Sequence, residues 1–395
     1  MATPATSSIL LALGGRTLTT LGTVPWRKGL ATRGGEIPYT FTRADATTCA
    51  SYIDYDGVIR LAAANLLRIE WVDLDGDGIR ESATIALETS PRTNVVLWNR
   101  DMTNAAWVKT TMTAAKDQTG VDGVANSASS LLATAGNATC LQAITLGSSL
   151  RAQAVWVKRL VGSGTINMTM DNGATWTVIT LTANWTRVTI PSQTLANPTV
   201  GFRIVTNTDK IAVDYVQNET AVTGILESSA IATTTVAVTR AADALTVPFN
   251  YGQFAMWSYV KFIERGAAAS GGLAGPVKWG SAAPFSRWDV TGGSYRYSNQ
   301  QSAGSTFSSP AGVATSGQTV ELLSLLYADG SVEAIQSING AASTTGGRSA
   351  AQALGTNWNN QTLTIGADGW FGLLVDLLIG RGTNVSLSDV RAIAL

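Results

Sequence analysis

The chain has 395 residues, with 27 basic against 27 acidic side chains, a formal net charge of zero and only 14% charged residues. It is long enough for two or three domains, and it carries no basic stripe, which argues against nucleic-acid binding. Histidine is absent, which removes imidazole zinc sites, Ser-His-Asp triads and Cys-His dyads and leaves only carboxylate, Lys or Tyr chemistry.

Residues 1–40 show no clean period, and Pro4, Pro25 and Pro38 interrupt them. They read as an irregular N-terminal arm that orders against something else, a candidate for docking onto a particle. The apolar run Ile9 to Leu13 is too short for a signal peptide and no basic residue precedes it, so no secretory signal is read. No stretch is long enough to span a bilayer.

Residues 41–94 read as a hairpin-rich connector. Asp54-Tyr55-Asp56-Gly57 and Asp75-Gly76-Asp77-Gly78 are turn signals between strand-like runs. Within the second, Asp73, Asp75, Asp77 and Glu81 have the carboxylate spacing of a calcium loop, and Gly78 permits the sharp turn that wraps them. An EF-hand would carry a glutamate where Thr84 stands. A hairpin tip without an ion is the other reading. Unbound carboxylates this close repel one another, so calcium is the candidate cofactor.

Residues 95–245 alternate with period two, as in Ala152–Val157 and Ile211–Tyr215, with turns such as Asp171-Asn172-Gly173 between the runs. That is the pattern of an all-β sandwich. Trp107, Trp156, Trp176 and Trp185 read as its core rather than as a ligand platform. The section closes on Thr239-Arg240-Ala241-Ala242-Asp243, an echo of Thr42-Arg43-Ala44-Asp45.

Residues 246–395 read as a second sandwich. Phe254–Phe262 is an early core strand, and Thr319–Tyr327 leads through Asp329-Gly330 to Val332–Ile335. Near the end, Leu363 and Ile365 alternate about Thr364, and Leu373, Val375 and Leu377 alternate about Leu374 and Asp376. The aromatics Trp279, Trp288, Tyr295 and Tyr297 lie in a stretch too polar to be all core, flanked by Arg287. With Trp358 they are the candidate ligand-binding residues, because sugar C–H faces stack on aromatic rings. Two other readings stay open: staples of long loops onto the sandwich, or a subunit interface. The acids of this region lack the tight strand pattern of a glycosidase pair, so no catalytic residue is assigned. Cys49 and Cys140 lie in different predicted domains and form no metal-spaced cluster; they read as free and buried rather than as a disulfide.

Three segments carry resemblances. The run from Gln361 to Arg391, with Ile365-Gly366, Phe371-Gly372 and Leu387-Ser388-Asp389-Val390, resembles the end of concanavalin-like, laminin-G-type jelly rolls. The order Thr42 to Asp45, Asp54 to Ile59, Arg68 to Trp71 and Arg92-Thr93-Asn94 is similar to a segment of tailed-phage structural proteins. Asn104 to Lys109 and Asp122 to Ala125 resemble the openings of carbohydrate-binding-module-like sandwiches in phage tail proteins.

The expectation is an all-β chain of tandem β-sandwiches, carbohydrate-binding-module-like and then concanavalin-like, behind the N-terminal arm. The resemblances imply a non-enzymatic protein of the virion surface, a fibre or spike adhesin for host-envelope glycans. It would be made in the host cytoplasm, assembled as a homo-oligomer with a trimer favoured, and seated on capsid or tail proteins. A capsid or tail decoration protein and a polysaccharide depolymerase are the alternatives.

Overall fold

A computed structural model of the chain describes residues 10–12, 18–20, 40–45, 49–74, 76–80, 82–221, 227–249, 256–267, 275–280, 285–291, 294–301, 304–352, 361–367, 369–381, 383 and 385–391. The chain is all-β, as the alternation implies. Among the described residues the one helix is Leu387–Arg391.

Two seven-stranded antiparallel sheets form the larger sandwich. One runs, in spatial order, Gly304–Ser308, Ser294–Gln301, Phe285–Thr291, Gly275–Trp279, Gln361–Ala367, Ala244–Phe249 and Thr40–Thr42. The other runs Thr344–Thr345, Val332–Ile338, Thr319–Leu326, Met256–Ala267, Trp370–Arg381, Ser82–Glu88 and Arg68–Val72. Alternate residues of both sheets meet in one core: Val277, Trp279, Trp288 and Ile365 from the first, Leu87, Val260, Phe262 and Leu322 from the second. On the far side of the second sheet, Trp257 and Tyr259 are covered by Leu387 and Val390 of the short helix. That helix starts at a capping box, in which Asp389 N–H donates to Ser386 Oγ (3.2 Å) and Ser386 N–H to the Asp389 carboxylate (2.8 Å).

One strand departs from simple alternation. Lys261 pairs with Asp376 and Phe262 with Leu374, so Val375 is an extra residue. This bulge turns both Leu374 and Leu377 into the main core, while Leu373 packs outside with Val72 and Ala86. The expected Leu373–Val375–Leu377 face is therefore wrong, because a bulge resets the period of two.

The expected domain division also needs correction. Thr40–Thr42, Arg68–Val72 and Ser82–Glu88 are edge-side strands of the larger sandwich, so residues 41–94 are not a connector. The sandwich between residues 95 and 237 is inserted into the larger one. It leaves and returns through a pair of short strands, Arg92–Asn94 and Val238–Arg240, in which Asn94 lies opposite Val238. Turn residues mark where hairpins bend, but they carry no information about which strand two hundred positions away completes the sheet.

The inserted sandwich has two five-stranded sheets. One orders as Met112–Gln118, Ala128–Ala133, Lys210–Thr220, Ser149–Val161 and Thr186–Leu195, the other as Thr177–Ile179, Ile166–Thr169, Thr199–Ile204, Ala138–Ala143 and Val108–Thr110. Trp107, Leu131, Val155, Met168, Phe202 and Val213 are among the side chains that fill the space between them. Cys140 lies in this core and Cys49 near the seam; both are buried and neither forms a disulfide. Burial pushes the Cys140 thiol up to about 12.

A buried ionic network joins the two sandwiches where the two echoing motifs meet. Arg43, Arg68 and Arg240 are all 0% exposed. Arg43 pairs with Asp45 and with Asp243, the latter at 3.4 Å. Arg68 pairs with Asp243 and with Glu88 (2.8 Å), and Arg240 with Glu88 (3.1 Å). Ser229 of the inserted sandwich donates its N–H to Glu88 at 2.6 Å. Burial works against the Glu88 carboxylate, but Arg240, Arg68 and Ser229 outweigh it and hold its pKa well below the usual range.

Candidate functional site

The acidic hairpin tip is organised by its own backbone. Asp73 accepts N–H bonds from Gly76 (2.7 Å) and Gly78 (2.8 Å), and Asp77 accepts one from Ile79 (2.7 Å). Gly76 and Gly78 sit at φ +82° and +89°, where a side chain would strain the turn. Asp75 and Glu81, the other two expected ligands, lie outside the described residues. No group of three or more metal-ligating side chains is found among the described residues. Beside the tip is a cleft of about 400 Å³ lined by Asp73, Arg80, Glu264, Arg265 and Ser316. Its charges are engaged within the fold: Arg265 with Glu70, Arg80 with the Trp71 carbonyl (2.8 Å), and Glu264 with the Tyr295 hydroxyl.

The aromatic platform expected in the second half is core, which corrects the sugar-stacking assignment. Trp279 and Trp288 are 0% exposed, and Tyr295 and Tyr297 1%. Tyr297 packs edge-on against Trp279 at 6.3 Å and tilted against Trp288 at 5.5 Å, while Tyr295 meets Phe262 at 5.5 Å. Buried rings with these neighbours have no face left for a ligand. The residues between them point the other way: Arg287 holds Asp289 at 3.4 Å, and Asp289 also binds Arg296 and Ser298. Trp358 lies outside the described residues.

The four tryptophans of the inserted sandwich that were expected in its core divide. Trp107 is core, at 1% exposure. Trp156 and Trp185 pack beside Ile59, Val121 and Tyr215, close to the Ala50–Ala62 hairpin. Like Trp156 and Trp185, which are only partly buried in that separate cluster, Trp176 lies outside the sandwich core. It is half-buried on the outer face of the sheet, just after the Asp171-Asn172-Gly173 turn. That turn is pinned by Asp171, which accepts bonds from Thr175 N–H (2.9 Å) and the Thr169 hydroxyl (2.7 Å). Gly173 has φ +81°, and a Cβ there would lie 2.8 Å from the indole, so glycine lets the ring lie down against the turn.

Arg203 stacks its guanidinium 4.5 Å from the centre of the Trp176 ring. Its Nε and Nη2 both donate to Asn167 Oδ1 at 3.2 Å. Cross-strand register places Val178, Asn167, Arg203, Thr139 and Thr110 in one row across this face. Val178 and, one row along, Val108 are each 65% exposed. The result is an open, gently polar surface with a guanidinium plane fixed from beneath by the buried Asn167, an indole edge, hydroxyl groups and small apolar patches. It can offer hydrogen bonds and flat contacts to a polar ligand without enclosing it. The sequence signal was an aromatic directly after a turn rather than inside an alternating run.

No protein-family model matches the chain, and no curated protein matches it in sequence. Among solved structures, the LG4-5 domains of the mouse laminin alpha1 chain are similar over 62% of this chain and 86% of that chain, at 10% identity and a TM-score of 0.24. The sandwich architecture stated above rests on the chain's own sheets and cores.

Proposed function

We propose that this chain is a non-enzymatic binding protein that displays its inserted sandwich to a glycan surface, as a fibre, spike or decoration component of a phage particle. The observation that carries the glycan assignment is the Arg203–Trp176–Asn167 cluster on the open outer face of the Ile166–Thr169 and Thr199–Ile204 strands. Sugars are bound by shallow surfaces that combine flat contacts with amide and guanidinium hydrogen bonds. Such sites are weak singly and gain from repetition. A homo-oligomer, with a trimer favoured, supplies that repetition, and the N-terminal arm is the candidate attachment to capsid or tail proteins. The phage setting rests on the sequence resemblances.

The test is a glycan array with wild type and with Trp176→Ala. Wild type is expected to retain host-envelope glycans when displayed multivalently, and the variant to lose them while melting at a similar temperature. Failure of wild type to bind any glycan overturns the assignment. A second reading is favoured by the 65% exposure of both Val108 and Val178 on the same face: that face seats another virion subunit instead. Mass photometry separates the two, because a Val178→Asp change would then dissociate an assembly rather than weaken glycan binding.

A further inference from the structure

At one end of the inserted sandwich, buried polar groups on adjoining strands keep part of their hydrogen-bonding capacity unused. Arg151, Gln153, Asn218 and Thr220 lie on two neighbouring strands, with Arg151 opposite Thr220 and Gln153 opposite Asn218. Arg92, from the short strand that leads into the insertion, reaches the same place. Its Nη1 donates to the Thr220 carbonyl at 3.2 Å, and Arg151 Nη1 to the Thr220 hydroxyl at 3.4 Å. Exposure is 6% for Arg92, 5% for Arg151 and 0% for Gln153 and Asn218.

Their remaining polar atoms are orphans. Arg92 Nε and Nη2, Arg151 Nε, Gln153 Oε1 and both side-chain polar atoms of Asn218 are buried without a hydrogen-bond partner. An isolated orphan is a small cost; six such atoms on four adjoining side chains, four of them donors, call for a common partner. Most of these groups are donors, and two of the side chains are permanent cations.

The nearby carboxylates are occupied. The seam network is balanced by itself, with Arg43, Arg68 and Arg240 set against Asp45, Glu88 and Asp243. Glu219 is the next acid along the strand, and it accepts Ser228 N–H (2.7 Å), the Ser228 hydroxyl (2.8 Å) and Gln217 Nε2 (3.0 Å). Arg92 finds partial compensation over the Phe371 ring, 4.9 Å from its centre, and from the charges of Glu219 and Glu88, against which Arg240 acts; Arg151 has no such neighbour. Burial lowers the pKa of Arg151, and no charged neighbour opposes it. A guanidinium this buried without a counter-charge is costly, and a bound anion removes the cost.

We infer that Arg92 and Arg151, with the amide N–H groups of Asn218, form a binding site for a single oxyanion at the seam between the sandwiches. The ligand class is a carboxylate, sulfate or phosphate group, free in solution or carried on an acidic sugar. The guanidiniums supply charge and N–H donors and Asn218 Nδ2 adds another, while Gln153 spends its Nε2 on the Thr169 carbonyl at 3.1 Å and only borders the site. Because Arg92 belongs to the connection and Arg151 to the insertion, an occupied site also ties the two together. The inference is independent of the Trp176 surface, since a free inorganic ion is enough to test it.

The experiment measures the melting temperature of the full chain while sodium sulfate, sodium acetate or sodium glucuronate replaces sodium chloride at constant ionic strength. Wild type is expected to show a saturable rise with at least one oxyanion. Arg151→Met, which keeps the aliphatic bulk, is expected to lose that rise and to melt no lower than wild type in chloride, because it removes an uncompensated buried charge. Response to sulfate alone assigns the site to a free ion, and a stronger response to glucuronate than to acetate assigns it to an acidic sugar. Equal oxyanion responses in wild type and variant overturn the site, since general salting-out acts on both alike. Crystals of wild type soaked in selenate give a readout that needs no variant to fold. An anomalous peak between Arg92 and Arg151 supports the site, and ordered water alone at that position overturns it.

Discussion

Arg43 and Asp243 stand 200 positions apart in the chain, and their side chains meet at 3.4 Å with neither exposed to water. The Asp243 carboxylate also binds Arg68 and accepts the Glu88 N–H at 2.8 Å. Asp243→Asn therefore leaves two buried guanidiniums short of charge. Removing one partner of a buried pair costs about 3–5 kcal/mol. Urea denaturation is expected to show a loss of this size, and a loss under about 1 kcal/mol would mean that water reaches the seam.

Glu227 gives a pH dependence of the opposite sign to a salt-bridged acid. Burial is the main cause that raises its pKa to about 7, against the pull of Arg187. A carboxyl that is harder to ionise when folded stabilises the fold at low pH and loses that contribution as pH rises from about 4.5 through about 7. Glu227→Gln is expected to flatten the melting temperature across that window and to melt above wild type at pH 8. Parallel pH profiles for the two proteins would refute the shift.

Trp288→Ala is expected to destabilise by about 3–5 kcal/mol, as removal of a fully buried large ring does. Chemical denaturation checks it. A stable variant with altered glycan retention would return this ring to the surface role that its burial argues against.

The insertion can be removed on paper at one place, because Asn94 and Val238 face each other. A chain in which residues 95–237 are replaced by a short glycine-rich turn is expected to fold as the larger sandwich. The fragment 246–395 is expected not to fold, since it lacks Thr40–Thr42, Arg68–Val72 and Ser82–Glu88. Amide dispersion in NMR spectra distinguishes the outcomes, and a well-folded 246–395 fragment would overturn the strand assignment.

Calcium at the Asp73 tip is tested by melting. Added calcium is expected to raise the melting temperature and a chelator to lower it, because the unfolded loop holds no ion. Asp73→Asn should remove the response. An indifferent wild type makes the tip a bare hairpin closed by its own amides.

The β content and the location of the strands were legible because period-two alternation is local. The helix at Leu387–Arg391 also has a local signal, Ser386 followed three positions on by Asp389, although only the resemblance of the Leu387-Ser388-Asp389-Val390 run pointed to it. The core role of Trp288 and Tyr297 was legible too: Arg287-Trp288-Asp289-Val290 and Tyr295-Arg296-Tyr297-Ser298 alternate as strands with one dry face. The polar neighbours Arg287, Asp289 and Arg296 give the stretch its mixed composition, although on a strand they mark the opposite face. The meeting of Thr42-Arg43-Ala44-Asp45 with Thr239 to Asp243 was visible only as an echo, because pairing across an insertion leaves no local signal. The orphan groups around Arg92 and Arg151 left no pattern in the sequence, since their convergence depends on register between distant strands.

Thr89 donates its hydroxyl to the Trp370 carbonyl, 281 positions later. At a synthesis rate of about 5–20 residues per second, the Ser82–Glu88 strand waits roughly 15 to 60 s for the strand that covers it. The inserted sandwich, complete in itself, emerges in that interval and is free to fold at once. The early hairpin meanwhile presents Ile85 and Leu87 with no opposing sheet. Production of this chain in a cell is thus a race between its own C-terminal half and any other sticky edge nearby. Slowing translation after residue 240 should cost yield, and chaperones that hold nascent chains should restore it.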